Sequence, residues 1–413
     1  MKVYQVGGAV RDQLLGLKVV DRDWVVVGGT PEEMINLGYK QVGRDFPVFL
    51  HPQSAEEYAL ARTERKTAPG YTGFTFNTSP EVSLEQDLLR RDLTINAMAF
   101  DEQGKLIDPY NGRQDLENGV LRHVSSAFTE DPLRVLRVAR FAARLGFTIA
   151  GETMDLMKEI TVSGELDALV AERVWQETER ALGEHKARVF FSVLRDCGAL
   201  ATVFPELDIL FGIPQPEQYH PEIDTGIHTM MVLDQACSLS DDTSVRFAAL
   251  VHDLGKGLTP RHEWPGHRNH EKLGVDLINR LCDRYRIPRK YRELSILVAR
   301  YHLDCHRIHE MRPATIIEKL ESLDAFRRPD RFEQFLLACE ADARGRTGLE
   351  NLKYHQADRF KEVWAAANGI DTRSLTVKEL DGREMAEAIR QLRINMVSRV
   401  IREWIKDEKE KPK

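Results

Sequence analysis

The spacing of apolar residues changes once along this chain, near Asp131, and that change limits what each part can fold into. Up to about Phe100, short β-branched runs at 23–27, 47–50 and 58–61 alternate with turns rich in Gly and Pro, a pattern of half-buried strands. From about Asp131 onward apolar residues recur every three or four positions, as at Leu133, Leu136, Ala139 and Ala143. That spacing lines one face of a helix. The expected architecture is an α/β N-terminal unit, a small mixed sheet with helices, followed by mostly α-helical domains. A single core stops growing at roughly 250–300 residues, so a chain of 413 residues implies more than one unit. Residues 212–221 hold three prolines, cannot continue a helix, and are the best linker, with a boundary near 212–225. The tail from about Glu403 is rich in mixed charge and is expected to fray.

Composition narrows the function classes. Apolar residues make up 42% and charged residues 30%, and no run approaches the ~18 apolar residues of a membrane span. The N-terminus enters a strand-like run with no leader-type apolar stretch, so a cytoplasmic protein without a membrane partner is expected. Cys197, Cys237, Cys282, Cys305 and Cys339 are scattered without a C-x-x-C pair, which points to reduced, buried thiols. The net charge of −7 argues against indiscriminate polyanion binding, although local basic faces can act while acids elsewhere set the total.

Gly7-Gly8-Ala9-Val10-Arg11-Asp12 follows a strand-like run and opens an apolar-periodic helix, so its glycines let backbone N–H groups approach a phosphate at a helix N-terminus. Val20-Asp21-Arg22-Asp23-Trp24 follows, and residues two apart on one strand project from the same face. Carboxylates held that close repel and call for a hard divalent cation, magnesium being the natural one. Such a pair suits in-line nucleotidyl transfer. The bland alternative is an acidic turn at a strand end, which the preceding Gly-Gly-x-x-Arg-Asp element disfavours.

G-G-A-V-R-D followed by D-R-D resembles motif A of the nucleotidyltransferase superfamily. Nearly end to end, the chain resembles the bacterial class II CCA-adding enzymes, the tRNA nucleotidyltransferases. The resemblance implies tRNA, CTP and ATP as partners, catalytic and magnesium-binding roles for Asp21 and Asp23, nucleotide contacts by Gly8 and Arg11, and a third carboxylate at Glu57.

Arg90-Arg91-Asp92-Leu93-Thr94-Ile95-Asn96 joins guanidinium forks suited to phosphate to side chains that can bond a ribose. It matches the family's R-R-D-x-x-x-N-A motif, which implies phosphate contact by Arg91 and sugar discrimination by Asp92 or Asn96. In Glu130-Asp131-Pro132-Leu133-Arg134 the Asp reads as an N-cap and the Pro as the first helical residue. Arg134, Arg137, Arg140 and Arg144 then share one face, with Val138, Phe141 and Leu145 on another. Arginines without interleaved Glu repel, so a bound polyanion relieves a cost that solvent only screens. The family's E-D-x-x-R motif implies that Asp131 and Arg134 pair with the incoming base. A carboxylate accepts from an exocyclic amine and a guanidinium donates to ring acceptors, while Arg137 and Arg140 reach the triphosphate.

Beyond the proline-rich segment, His228 and then His252-Asp253-Leu254-Gly255-Lys256 resemble the HD phosphohydrolase superfamily. Adjacent His and Asp can reach one metal, and mixed imidazole and carboxylate donors suit magnesium or a transition metal such as Ni2+ that activates water against a phosphate ester. The resemblance implies catalytic roles for His252 and Asp253, His228, His252 and Asp253 as ligands, a last ligand at Asp342 or Asp304, and phosphatase, 2′-nucleotidase and 2′,3′-cyclic phosphodiesterase activities. His262, His306 and His309 read as core or surface residues.

The expected division is a palm at 1–140 that includes the start of the base-selecting helix, a neck and body at 141–225, an HD domain at 226–345 and a helical tail at 346–413, acting as a monomer or homodimer. Two rivals remain. A bacterial poly(A) polymerase shares these motifs, and residues 42–46 partly resemble its pattern, but Asp45 stands where a second basic residue is expected. A nucleotide hydrolase or sensor with a degenerate palm is disfavoured by the intact Asp21, Asp23 and Arg91.

Overall fold

The computed structural model describes residues 1–42, 48–66, 74–371 and 381–410. The reading of Asp45 lies outside them. The chain divides into two compact units, Met1–Pro205 and Glu206–Lys413.

The first unit is built on a seven-stranded mixed sheet. Strand Lys2–Val6 pairs antiparallel with Asp23–Val27 and with Ala99–Phe100, and Asp23–Val27 pairs in parallel with Glu57–Leu60. Lys40–Val42 and Val48–Leu50 extend one edge, and Leu106–Ile107 forms the other. Strand alternation places Val25 in a cluster with Val6, Leu88 and Ala97, and its neighbour Val26 in a second cluster with Met34, Phe49 and Leu60. The register sets Val6 opposite Asp23 and Asp23 opposite Glu57. Chain direction therefore puts the Gly7-Gly8 turn beside the end of the strand that carries the carboxylates. The strand begins at Asp23, so Asp21 leaves from the loop before it and not from a second position on the strand face, as the spacing alone suggested.

Outside that sheet the described residues of this unit are mostly helical, with two short pairs, Thr63–Lys66 antiparallel to Phe74–Asn77 and Val120–Leu121 parallel to Thr148–Ile149. Helix Leu133–Leu145 starts one residue later than expected, with Pro132 at the cap position. Asp131 Oδ1 nevertheless accepts from the Leu133 N–H at 3.1 Å, and Gly146 in the left-handed region ends the helix.

The described elements of the second unit are helices, apart from one isolated antiparallel bridge between Pro214 and Asp224. Helices Thr225–Leu239, Thr243–Val251, Arg289–His306, Pro329–Arg344 and His355–Asn368 surround a core containing Val232, Ala249, Val298, Phe335 and Phe360. The proline-rich segment folds back on itself, with the Gln215 N–H donating to Ile223 O at 2.6 Å. The tail differs from expectation, because helix Gly382–Glu410 continues past Glu403. Trp404, flanking that charge run, packs on the core and donates from Nε1 to Glu362 Oε2 at 2.7 Å. No helix among the described residues is long and apolar enough to cross a membrane.

Candidate functional site

In the first unit, a cavity of about 1020 Å³ is lined by Gly7, Gly8, Asp21, Asp23, Arg91 and Asp92 together with Asp131 and the arginines of helix Leu133–Leu145. All the palm residues singled out in the sequence except Glu57 reach it. Glu57 stands across from Asp23 in the sheet but is not among the lining residues. Gly7 takes a left-handed φ of +70°, which favours glycine, and a Cβ there would stand 2.8 Å from Arg91 Nη1 and push that guanidinium aside. Burial pushes the Asp23 carboxyl up, Arg91 opposes this and Asp21 adds to it. The repulsion between the two carboxylates is what a hard cation with oxygen ligands would relieve.

Ten arginines and six carboxylates line the cavity, so its wall is basic although the whole chain is acidic. The arginines are not left to repel one another. Arg137 donates to Asp92 Oδ2 from Nε at 2.8 Å and pairs with it through Nη2 at 2.7 Å, Arg140 donates to Glu177 Oε2 at 2.5 Å, and Arg144 donates to Asp12 Oδ2 at 2.9 Å. The compensating acids come from other elements, which corrects the inference that an uninterleaved stripe needs a polyanion to balance it. Phe141, expected in the core, is buried but lies under the guanidinium groups of Arg11, Arg137 and Arg140 at 5.0, 5.8 and 4.4 Å, a cation–π platform.

The side chains around this cavity are held by neighbours. Arg11 donates to Asn96 Oδ1 at 2.6 Å and to Asp12. Asp87, fully buried, accepts from Arg90 and Arg91. Asp92 also accepts from Asn96 Nδ2 at 3.0 Å. Burial alone raises the Asp92 carboxyl, but Arg137, Asn96 and Arg134 outweigh it and hold it well below the usual carboxylate range. Arg134 donates to the Ala127 carbonyl at 2.7 Å and to that of Arg90, and Asp131 Oδ2 accepts from Arg173 at 3.0 Å. Arg173 and Glu177 were missed in the sequence, although in their helix, Ala171–Leu182, Glu177 falls on the same buried stripe as Val174 and Ala181, where a carboxylate needs a partner.

In the second unit, His228 and Asp342 from two helices and His252 and Asp253 from the turn after helix Thr243–Val251 converge, all nearly inaccessible. His228 Nε2 is 3.1 Å from Asp342 Oδ1, and His252 Nε2 is 3.2 Å from Asp253 Oδ2 and 3.7 Å from Asp342 Oδ1. Asp342 is thus the acid brought to the cluster, whereas Asp304 pairs with Lys319 at 2.8 Å. His270 and His302 approach the other oxygen of Asp253 at 3.3 and 3.7 Å. Nδ1 of His252, His270 and His302 each faces a backbone carbonyl at 2.7, 2.8 and 3.0 Å, which turns Nε2 inward as a lone pair when Nδ1 carries the hydrogen. His252 Nε2, His270 Nε2 and Asp253 Oδ1 are buried without a hydrogen-bond partner.

Burial lowers His252, but Asp253 and Asp342 outweigh it and push the ring up to about 10, while burial holds His302 down to about 3. Buried carboxylates beside orphaned imidazole nitrogens fit a divalent cation. His306 departs from expectation: its Nε2 lies 2.6 Å from Asp342 Oδ2. His262 and His309 are exposed.

Comparison with known proteins matches residues 3–122 to the poly A polymerase head domain, residues 146–210 to the probable RNA and SrmB-binding site of polymerase A, and residues 225–337 to the HD domain. A multifunctional CCA protein of Thioalkalivibrio sulfidiphilus is 61% identical over 98% of this chain and 100% of the relative. Among solved structures, a Thermotoga maritima CCA-adding enzyme complexed with tRNA shares the fold at a TM-score of 0.63 and 20% identity, covering 96% of this chain and 87% of that one. A CCA-adding enzyme in complex with ATP does so at a TM-score of 0.65 and 21% identity, covering 100% and 90%.

Proposed function

This chain belongs to the multifunctional CCA protein family, and we propose that it adds C, C and A to tRNA 3′ ends from CTP and ATP and hydrolyses phosphate esters at its HD domain. The observation that supports the first activity most directly is the meeting, in one cavity, of the Gly7-Gly8 turn, Asp21, Asp23 and the arginine helix. We place the palm at 1–140, the neck and body at 141–225, the HD domain at 226–345 and the tail at 346–413.

Both activities are metal-dependent. Asp21 and Asp23 hold magnesium, which when bound neutralises the triphosphate and makes the attacking 3′-hydroxyl more acidic. Arg91 binds phosphate from beside the Gly7 turn, and Gly8 and Arg11 complete the cradle at the helix start. Asp131 accepts from the exocyclic amine shared by cytosine and adenine. Arg134, anchored on the Ala127 and Arg90 carbonyls, presents its guanidinium to the ring acceptors of the base. Selection on a protein edge needs no nucleic-acid template.

In the HD domain, His228, His252, Asp253 and Asp342 hold a divalent cation, Mg2+ or Ni2+, which when bound supplies an activated water for phosphatase, 2′-nucleotidase and 2′,3′-cyclic phosphodiesterase reactions. Lys256, within 2.5 Å of Asp253 Oδ2, balances the second carboxylate. Incubating the protein with tRNA lacking its CCA tests the first activity. CTP alone should add two residues, ATP should then add one, and the reaction should stop. Unlimited addition with ATP alone would establish poly(A) polymerisation instead.

A further inference from the structure

Glu222 is not one of the His228, His252, Asp253 and Asp342 set but groups with His220 and His228 at its edge, and its side chain is only 2% exposed. Its Oε1 sits 3.0 Å from His228 Nδ1 and 3.1 Å from His220 Nδ1, and its Oε2 accepts from the Thr347 N–H at 3.4 Å. His228 Nδ1 also faces the Gly345 carbonyl at 2.9 Å. A ring nitrogen set between two acceptors carries the hydrogen, so Nε2, on the Asp342 side, keeps its lone pair.

The other imidazoles of the cluster are oriented differently. Nδ1 of His252, His270 and His302 each meets a neutral backbone carbonyl from its own stretch of chain. Among these four, His228 has a carboxylate at hydrogen-bonding distance from Nδ1, at 3.0 Å, whereas the Glu271 carboxylate stands 3.8 Å from His270 Nδ1. A carboxylate in that position fixes ring rotation and tautomer and makes the far nitrogen a stronger donor. His220 packs edge-on against His228 with ring centroids 4.6 Å apart, so Glu222 is braced between two rings and a backbone N–H.

We propose that Glu222 is a positioning residue that sets the affinity of the HD site for its divalent cation by acting through His228. The inference rests on the metal reading given above. It assigns a task to the end of the proline-rich segment, because His220-Pro221-Glu222 is the stretch that presents this carboxylate.

The test uses full-length protein stripped of metal and titrated with Co2+, followed by equilibrium dialysis and by the visible absorption of the bound ion. Glu222→Ala should raise the Co2+ Kd roughly 10–100-fold. Glu222→Gln keeps an oxygen that accepts from Nδ1 and should lose less than about tenfold. Saturating Co2+ should restore hydrolysis of bis-p-nitrophenyl phosphate by both variants, and CTP addition to tRNA should be unchanged. Because Glu222 acts through His228, Glu222→Ala should cost nothing further in a His228→Ala background.

An unchanged Co2+ Kd in Glu222→Ala, or equal losses with and without His228, would overturn the inference. So would a lowered melting temperature with normal Co2+ affinity, the mark of a purely structural role. Wild-type protein that takes up no Co2+ would instead overturn the metal reading itself.

Discussion

Asp92 and Arg137 show how a side chain's role depends on the partner that holds it. The motif placed Asp92 beside a doubled arginine, but its strongest partner is 45 positions away, and no local pattern links the two. Removing one member of a buried pair costs roughly 3–5 kcal/mol, and partial exposure of Arg137 puts Asp92→Asn at the lower end. The pH dependence follows from the sign of the shift. Because the folded carboxyl titrates below its ordinary 3.8, its stabilisation is fully present above that value and drains away as pH falls through the lower folded value. Urea midpoints should therefore separate wild type from Asp92→Asn at pH 7 and begin to draw together only as pH falls below 3.8. Arg173, absent from every motif, makes a second case. It steadies Asp131 Oδ2, so Arg173→Ala should blur the choice of CTP over UTP by about tenfold in kcat/KM, the size of a modest pocket contact. A ratio that stays unchanged while both rates fall would assign Arg173 to general packing.

At the level of elements, the periodicity located the arginine helix and the sheet, whereas the positions of their ends came from packing. Asp21 fell outside the strand because pairing begins at Asp23, and the final helix outlasted its charged composition because Trp404 docks on the core. The Gly in His-Asp-Leu-Gly-Lys has a purely steric explanation that a single sequence does not reveal. A Cβ on Gly255 would stand 1.9 Å from the His270 carbonyl oxygen and 2.6 Å from the Gly274 nitrogen, so the turn after Asp253 lies directly against helix His270–Arg284. Overpacking typically costs 1–3 kcal/mol, and with backbone on both contacts Gly255→Ala should lose about 3 kcal/mol. Displacing that helix also moves His270 away from Asp253. Thermal melting should show the loss, and metal-dependent phosphate release should fall at least tenfold while CTP addition persists. Wild-type melting and hydrolysis in this variant would show that the two backbones can separate without cost.

On the scale of the molecule, each chemistry is assembled within one compact unit. The basic cavity draws only on residues of Met1–Pro205, and the histidine cluster only on residues of Glu206–Lys413. The motifs made this legible, since D-x-D, R-R-D and E-D-x-x-R all precede the proline-rich segment and H-D all follow it. What the motifs could not supply was the pairing: Asp12 and Asp92 stand in motifs of their own and Glu177 in none, and all three are distant in sequence from the arginine helix they neutralise. Self-contained units predict separable losses. Asp23→Asn should abolish nucleotide addition and keep phosphate release, and His252→Ala should do the reverse. A tRNA shortened by its CCA and ending in a 2′,3′-cyclic phosphate needs opening and removal of that phosphate before its 3′-hydroxyl can attack a nucleotide. Neither variant alone should extend it, and an equimolar mixture should, because the product of one chain is the substrate of the other. If the mixture stays inactive while each variant retains its own reaction, the trimmed tRNA must pass between the two units of a single chain without release.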